Sequence, residues 1–482
     1  MTQTPTADQQ FRSALAAVRG HPLDAGRVPA FSLPQVQSSS SPAHAGEVYG
    51  PAGDIWSTAG RLRDGSLSPE QVIDRCLENT QAHSARLGAF EQVAPRADLL
   101  AALAASDPAA PLYGIPIGIK DVIDAVGFRT TGSSVAAPPR EPLTEGQAVA
   151  RLRAAGALIL GKTVTHEFAL GVTTPQSHNP WDMSRVPGGS SGGAVISLVT
   201  GMALGALGTD TRASIRVPPA LSGAVGFRPT TGLVPVDGWM PLSWSMDVLA
   251  PMARSVRDIA LLMDVLTASQ RLRASLPGSL SGARIGVSEA FMGDVEPDVA
   301  ARFHEAIAKA AQAGATVVPF AGPSHEDLHL ANVAGMILSR AEAAHAHQEA
   351  GTDLARCIPE VRDQLWEARE VPATDYVRCL RIRGELYERF MALMTDVDFL
   401  AMPTSKVVAP RREAAGQFLL VLSENCITWS LLGFPAISLF AGLAEGLPCG
   451  LQLVGRPGCD PALVAAAHAF ERVLPPIPEW AP

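Results

Sequence analysis

Three segments of this 482-residue sequence carry side chains that can do covalent chemistry. The first is Gly114-Ile-Pro-Ile-Gly-Ile-Lys120-Asp121, where a lysine closes an apolar run. A lone lysine is ordinarily a solvated surface charge. If this one is buried, desolvation lowers the pKa of its ammonium group and leaves a neutral amine able to act as a general base. The second is Pro187-Gly-Gly-Ser190-Ser191-Gly192-Gly193, followed directly by the apolar run Ala194 to Val199. Alone, this Gly/Ser stretch fits a flexible loop. Set before an apolar helix, it becomes a tight turn whose N–H groups share one space, and its serines are placed to relay protons or bind an anion. The third is Gly208-Thr-Asp210-Thr-Arg212-Ala-Ser214-Ile-Arg216-Val-Pro218. It reads either as a polar loop after a buried strand or as a nucleophile turn. In the second case Ser214 attacks, the backbone N–H groups of Thr211, Arg212, Ala213 and Ser214 form an oxyanion hole, and Asp210 pairs with Arg216 to stiffen the turn. The eleven histidines are scattered. His345 and His347 are spaced i, i+2 and share no helix face, and His166-Glu167 lacks the second histidine of a zinc protease motif. No metal and no cofactor are expected.

The elements that must position these segments follow from the apolar pattern. Ile115 to Ile119 reads as a strand, Val149 to Ala155 as a helix and Leu158 to Leu160 as a strand. Further on, Ile285 to Val287 and Thr316 to Val318 read as strands around a helical stripe of Val299, Phe303 and Ile307, with Gly314 as its C-cap. This β–α–β succession predicts an α/β fold with a large, mainly parallel central sheet and helices on both faces. Ser68-Pro69-Glu70-Gln71 carries the signature of a capped helix start. Asp327 to Phe390 reads as mostly helical. Gly192 to Thr209 holds no charge over eighteen residues, the lower limit for a membrane span. Its five glycines favour a buried helix followed by a buried strand. Residues 27–53 have linker composition, and Gln9 to Val18 fits a short helix before them. The chain therefore divides into an N-terminal extension, 1–50, and one main domain, 51–482.

Composition narrows the classes of function. Charged residues make up 18% of the chain, apolar residues 47%, and the net charge is −9. That is a well-buried globular chain, and its acidic balance argues against nucleic acid as a partner. The six cysteines are at least ten residues apart, with no CxxC pair, which fits a reducing compartment. With no signal-peptide pattern at the start, a cytoplasmic protein is expected, with no membrane partner.

Taken in order, the three segments resemble the amidase signature family of serine hydrolases. The resemblance runs from about Ile55 to Val473 and includes Gly433-Phe-Pro-Ala-Ile-Ser438 and Gly446-Leu-Pro-Cys-Gly-Leu-Gln-Leu-Val-Gly455. It implies that family's fold, a large mixed sheet between helices. It also implies Lys120 as the catalytic lysine, Ser190 as the bridging serine on a cis peptide, and Ser214, 24 residues further on, as the nucleophile. Lys120 would take the proton of Ser214 through Ser190, and water would release the acyl group. A lysine can stand in for histidine because the base need only be poised near working pH. The implied reaction is hydrolysis of a linear amide, an anilide or a carbamate by a monomer or homodimer acting on a small molecule. The alternative within the family is the glutaminase subunit of a tRNA-dependent amidotransferase. By resemblance, the segment Phe168 to Thr174, with Gly171 and Val172, and the region of Trp239, Trp244 and Met246 form pocket walls. Arg212 and Ala213 stand where many members have glycines. A positive φ at Ala213 would cost about 1 kcal/mol, and the Arg212 side chain is expected either at the substrate, on a nearby carboxylate, or in solvent.

Overall fold

The computed structural model describes residues 7–23 and 53–482. The short apolar runs form one sheet of eleven strands: β1 (Phe90–Val93), β2 (Ile115–Lys120), β3 (Ala157–Thr163), β4 (Gly205–Asp210), β5 (Val225–Arg228), β6 (Val248–Ala253), β7 (Arg284–Val287), β8 (Thr316–Pro319), β9 (Phe399–Pro403), β10 (Ala436–Ala444) and β11 (Leu447–Gly455). Their order across the sheet is β1-β3-β2-β4-β6-β5-β10-β11-β9-β7-β8. Every residue of β2, β3 and β4 is buried. This is why these strands read as continuous apolar runs rather than as alternating patterns.

The sheet is mixed, as expected, but parallel pairs are not its majority. The parallel pairings are β2 with β3 and β4 on one flank and β7 with β8 and β9 on the other. Six antiparallel pairings make up the rest, five of them forming the unbroken middle of the sheet. The β–α–β pattern found in the sequence belongs to the two flanks, where a helix carries the chain back between neighbouring strands. In the middle, β10 and β11 are joined by Glu445 and Gly446 alone, both at positive φ (51° and 77°), the geometry that closes a two-residue hairpin.

The uncharged stretch resolves into the buried helix Gly192–Val199 followed by β4. Ser68 caps the helix Pro69–Leu87 through a reciprocal bond with Gln71. The long helical region becomes His325–Glu349, Pro359–Ala368 and Ala373–Leu393. The helix Ala7–Gly20 packs on these three helices through Phe11, Ala14 and Val18, so this part of the N-terminal extension belongs to the body of the protein. Its Arg19 pairs with Asp375 at 2.6 Å. The linker reading of 27–53 lies, apart from Gly53, outside the described residues. No described helix is long and apolar enough to cross a membrane.

Candidate active site

Lys120 is the last residue of β2, and Thr209 lies beside it near the end of the parallel neighbour β4. Lys120 is fully buried. Its Nζ donates to Thr209 Oγ1 at 2.8 Å and to Ser190 Oγ at 2.7 Å, and Ser190 Oγ donates in turn to Ser214 Oγ at 2.8 Å. A line of hydrogen bonds thus runs from amine to hydroxyl to hydroxyl. Burial pushes the Lys120 ammonium down from 10.5 to about 7, against the pull of the Asp247 and Asp210 carboxylates. Near neutral pH the amine can therefore accept a proton. Chemically, the arrangement can take a proton from one hydroxyl, pass it through another, and hold it on nitrogen.

The Gly/Ser segment forms the turn that enters the helix Gly192–Val199, and the Gly189–Ser190 peptide is cis. The carbonyl of Ser190 accepts bonds from the His166 N–H and the Thr165 and Thr174 hydroxyls, which fix this turn from three sides. Glycine is required here by close approach: a Cβ on Gly192 would lie 2.6 Å from the Thr174 side chain. His166 is not a base in this site. Burial, with the nearby charge of Lys120, pushes its imidazole down to about 3.

Ser214 is placed by a buried charge network behind it. Asp210, at the end of β4, takes a bidentate bond from Arg216 (3.0 and 3.1 Å) and a further ion pair from Arg228 at 3.0 Å. Burial alone would push the Asp210 carboxyl up, but the two guanidinium groups outweigh it and hold it down at about 2. The expected Asp210–Arg216 pair is thus present, while Arg228, from β5, escaped sequence reasoning. Thr211 is tied by its hydroxyl to Asp247 at 2.5 Å, and the same carboxylate accepts from Trp239 Nε1 and the N–H groups of Leu242 and Ser243. The hydrogen bonds of the turn engage the N–H groups of Ile215, Arg216 and Val217. Those of Thr211, Arg212, Ala213 and Ser214 fall outside that set. Neither Arg212 nor Ala213 is among the residues at positive φ, so replacing glycine costs the backbone nothing.

A cavity of about 90 Å³ opens over Ser214, lined by Gly171, Val172, Thr211, Arg212 and Arg340 among others. Of the stretches expected as pocket walls, Ala169, Leu170, Gly171 and Val172 line it from the first and Leu242 from the second, whereas Phe168, Trp239, Trp244 and Met246 do not. Phe168 is buried in the main core with its ring 4.3 Å from that of His347. Trp239 is held by Asp247, and Met246 is buried among the helices, near Gly335. Trp244 is exposed against His345. Arg212 is half-buried rather than solvated, and its Nε and Nη2 have no hydrogen-bond partner among the described residues. The wall also includes Gln10, from the N-terminal helix, and Glu360.

The profile of the Amidase family matches residues 70–464. The chain belongs to the amidase family. Curated relatives include a glutamyl-tRNA(Gln) amidotransferase subunit of Roseiflexus castenholzii, 34% identical over 459 residues, covering 86% of this chain and 94% of that protein. Another is the 2-amino-5-chloromuconic acid deaminase of Comamonas testosteroni, also 34% identical, covering 86% of this chain and 95% of that protein. Among solved structures, one described as an amidase is 30% identical with a TM-score of 0.78, covering 88% of this chain and all of the other. As a member of the family, this amidase is a hydrolase of amide C–N bonds with the large mixed sheet of its structural neighbours.

Proposed function

We propose that this amidase hydrolyses a small linear amide, anilide or carbamate through an acyl-enzyme on Ser214, with Ser190 and Lys120 as its proton relay. The observation that carries the reading is the buried chain of hydrogen bonds from Lys120 Nζ through Ser190 Oγ to Ser214 Oγ. Neutral Lys120 draws the Ser190 proton, Ser190 draws that of Ser214, and Ser214 Oγ attacks the carbonyl carbon. The oxyanion is held by the N–H groups of the Thr211–Ser214 turn. The proton then returns through Ser190 to the leaving nitrogen, which departs as amine or ammonia. Water repeats the sequence on the ester and frees the acid. The cavity's volume of about 90 Å³ favours a small acyl group, since sites for drug-sized ligands run from about 300 to 1,000 Å³.

The relay makes a specific prediction. Ser190→Ala keeps the nucleophile and its oxyanion donors but breaks proton transfer, so kcat is expected to fall by about 10²-fold or more without vanishing. Wild-type kcat in this variant, measured under saturating substrate, would remove Ser190 from the mechanism.

A second reading, the glutaminase component of an amidotransferase, is favoured by the likeness to the amidotransferase relatives. The two readings separate in one screen of the purified chain against short aliphatic amides, anilides, aryl carbamates and glutamine. Turnover of the simple amides or carbamates without a partner supports the first. Turnover of glutamine alone, or only when a partner is supplied, supports the second.

A further inference from the structure

Two arginines of the cavity wall stand apart from the other buried arginines of the site. Arg216 and Arg228, behind Ser214, pair with Asp210 at 3.0 Å, although Arg228 Nε is also without a hydrogen-bond partner among the described residues. Arg340, 6% exposed, has Nε and Nη1 buried with no hydrogen-bond partner among the described residues, as has Arg212 at Nε and Nη2. Both line the cavity that contains Ser214. Buried guanidinium nitrogens without hydrogen-bond partners are costly, and the two cations on one wall repel each other as well. The arrangement is held in place all the same. The Arg212 carbonyl accepts from Arg216 Nη2 at 2.8 Å and Ser430 Oγ at 2.9 Å, and the Arg340 guanidinium lies 5.6 Å from the centre of the Phe11 ring.

From this geometry we infer that Arg212 and Arg340 form a carboxylate-recognition subsite, so that the preferred substrate is an amide bearing a free carboxylate within a short chain of the scissile carbonyl. The inference rests on the reading of Ser214 as the nucleophile. Arg212 lies two residues before Ser214, which places the subsite within one small molecule's length of the reacting carbon. A carboxylate there accepts from donors on both guanidinium groups, the fork geometry that arginine matches best. The acidic groups on the same wall leave the cations available. Glu360 has Oε1 3.6 Å from His166 Nε2, and burial pushes its carboxyl up to about 7 against the pull of Arg340. Asp363 is engaged by Arg362 at 2.8 Å. Glu367 and Glu360 favour the charged form of Arg340 but give no hydrogen bond to its Nε or Nη1.

The test compares carboxylate substrates with neutral isosteres: succinamate with 4-oxopentanamide, and N-acetylglycine with N-acetylaminoacetone. The wild type is expected to favour the carboxylate member of at least one pair by about tenfold to a hundredfold in kcat/KM. Arg340→Gln and Arg212→Gln are each expected to cut that ratio by about tenfold. In parallel, succinate binding is followed by the shift in Tm, with an expected dose-dependent rise in the wild type and in Ser214→Ala but not in Arg340→Gln. If neutral amides are turned over with no carboxylate preference, the subsite is overturned while the amidase reading stands. If succinate stabilises the protein but no amide is cleaved, the subsite stands and the hydrolytic reading fails.

Discussion

Ser214→Ala is expected to lower kcat/KM by at least about 10⁴-fold on any amide the enzyme cleaves. The reason is geometric. Among the described residues, Ser214 Oγ is the hydroxyl that both borders the cavity and ends the hydrogen-bond line from Lys120. The residual rate comes from oxyanion donors and binding alone, since water would have to attack without the relay's help. The fold should be unaffected, because Ser214 adds no charge to the Asp210–Arg216–Arg228 network that shapes its turn. A variant retaining more than a few per cent of the activity at unchanged Tm would mean that another group attacks the carbonyl.

The second large effect concerns Lys120 and pH. Its neutral form is the proposed base, and burial pushes its ammonium group down to about 7. Below that pH, kcat/KM is expected to fall tenfold per unit as the amine is protonated, and above it to level off. A flat profile between pH 5 and 9 would contradict a lysine base. The contribution of this group to stability has the matching sign. Between about 7 and its ordinary 10.5, the folded state holds the amine neutral while the unfolded chain binds the proton. Its contribution to stability therefore rises with pH across that window and is smallest below it. Lys120→Met removes a buried amine that costs most when charged. Turnover should drop by about 10² to 10⁴-fold, the usual worth of a general base, while Tm at neutral pH does not fall.

The parts of the site legible in the sequence are those built from local chain. Lys120 closes an apolar run because β2 is buried from end to end. The Gly/Ser turn precedes a helix with no exposed residue, and Asp210 meets Arg216 across six residues of one turn. What escaped the sequence is held by long-range contacts. Thr209 reaches Lys120 because β4 lies beside β2, and Arg228 reaches Asp210 from β5. Asp247 fastens Thr211 across 36 residues. Arg340 and Gln10 come to the cavity on helices far from the motifs. The majority of antiparallel pairings has the same origin: β–α–β periodicity shows where the chain crosses over, but not that the middle strands β4, β6, β5, β10, β11 and β9 pair antiparallel with one another. The aromatic residues Phe168 and Trp239 resembled pocket walls, yet a ring that fills a core and one that lines a cleft have the same composition.

The most direct test of this account is the intact mass of the protein, quenched within milliseconds of mixing with a 4-nitrophenyl carbamate, followed by peptide mapping of the adduct. The relay from Lys120 through Ser190 to Ser214 predicts a single carbamoyl addition, located on Ser214 and lost on further incubation, and none in Ser214→Ala. Release of 4-nitrophenol with the adduct on any other residue, or with no adduct in single turnover and full activity in Ser214→Ala, would contradict it.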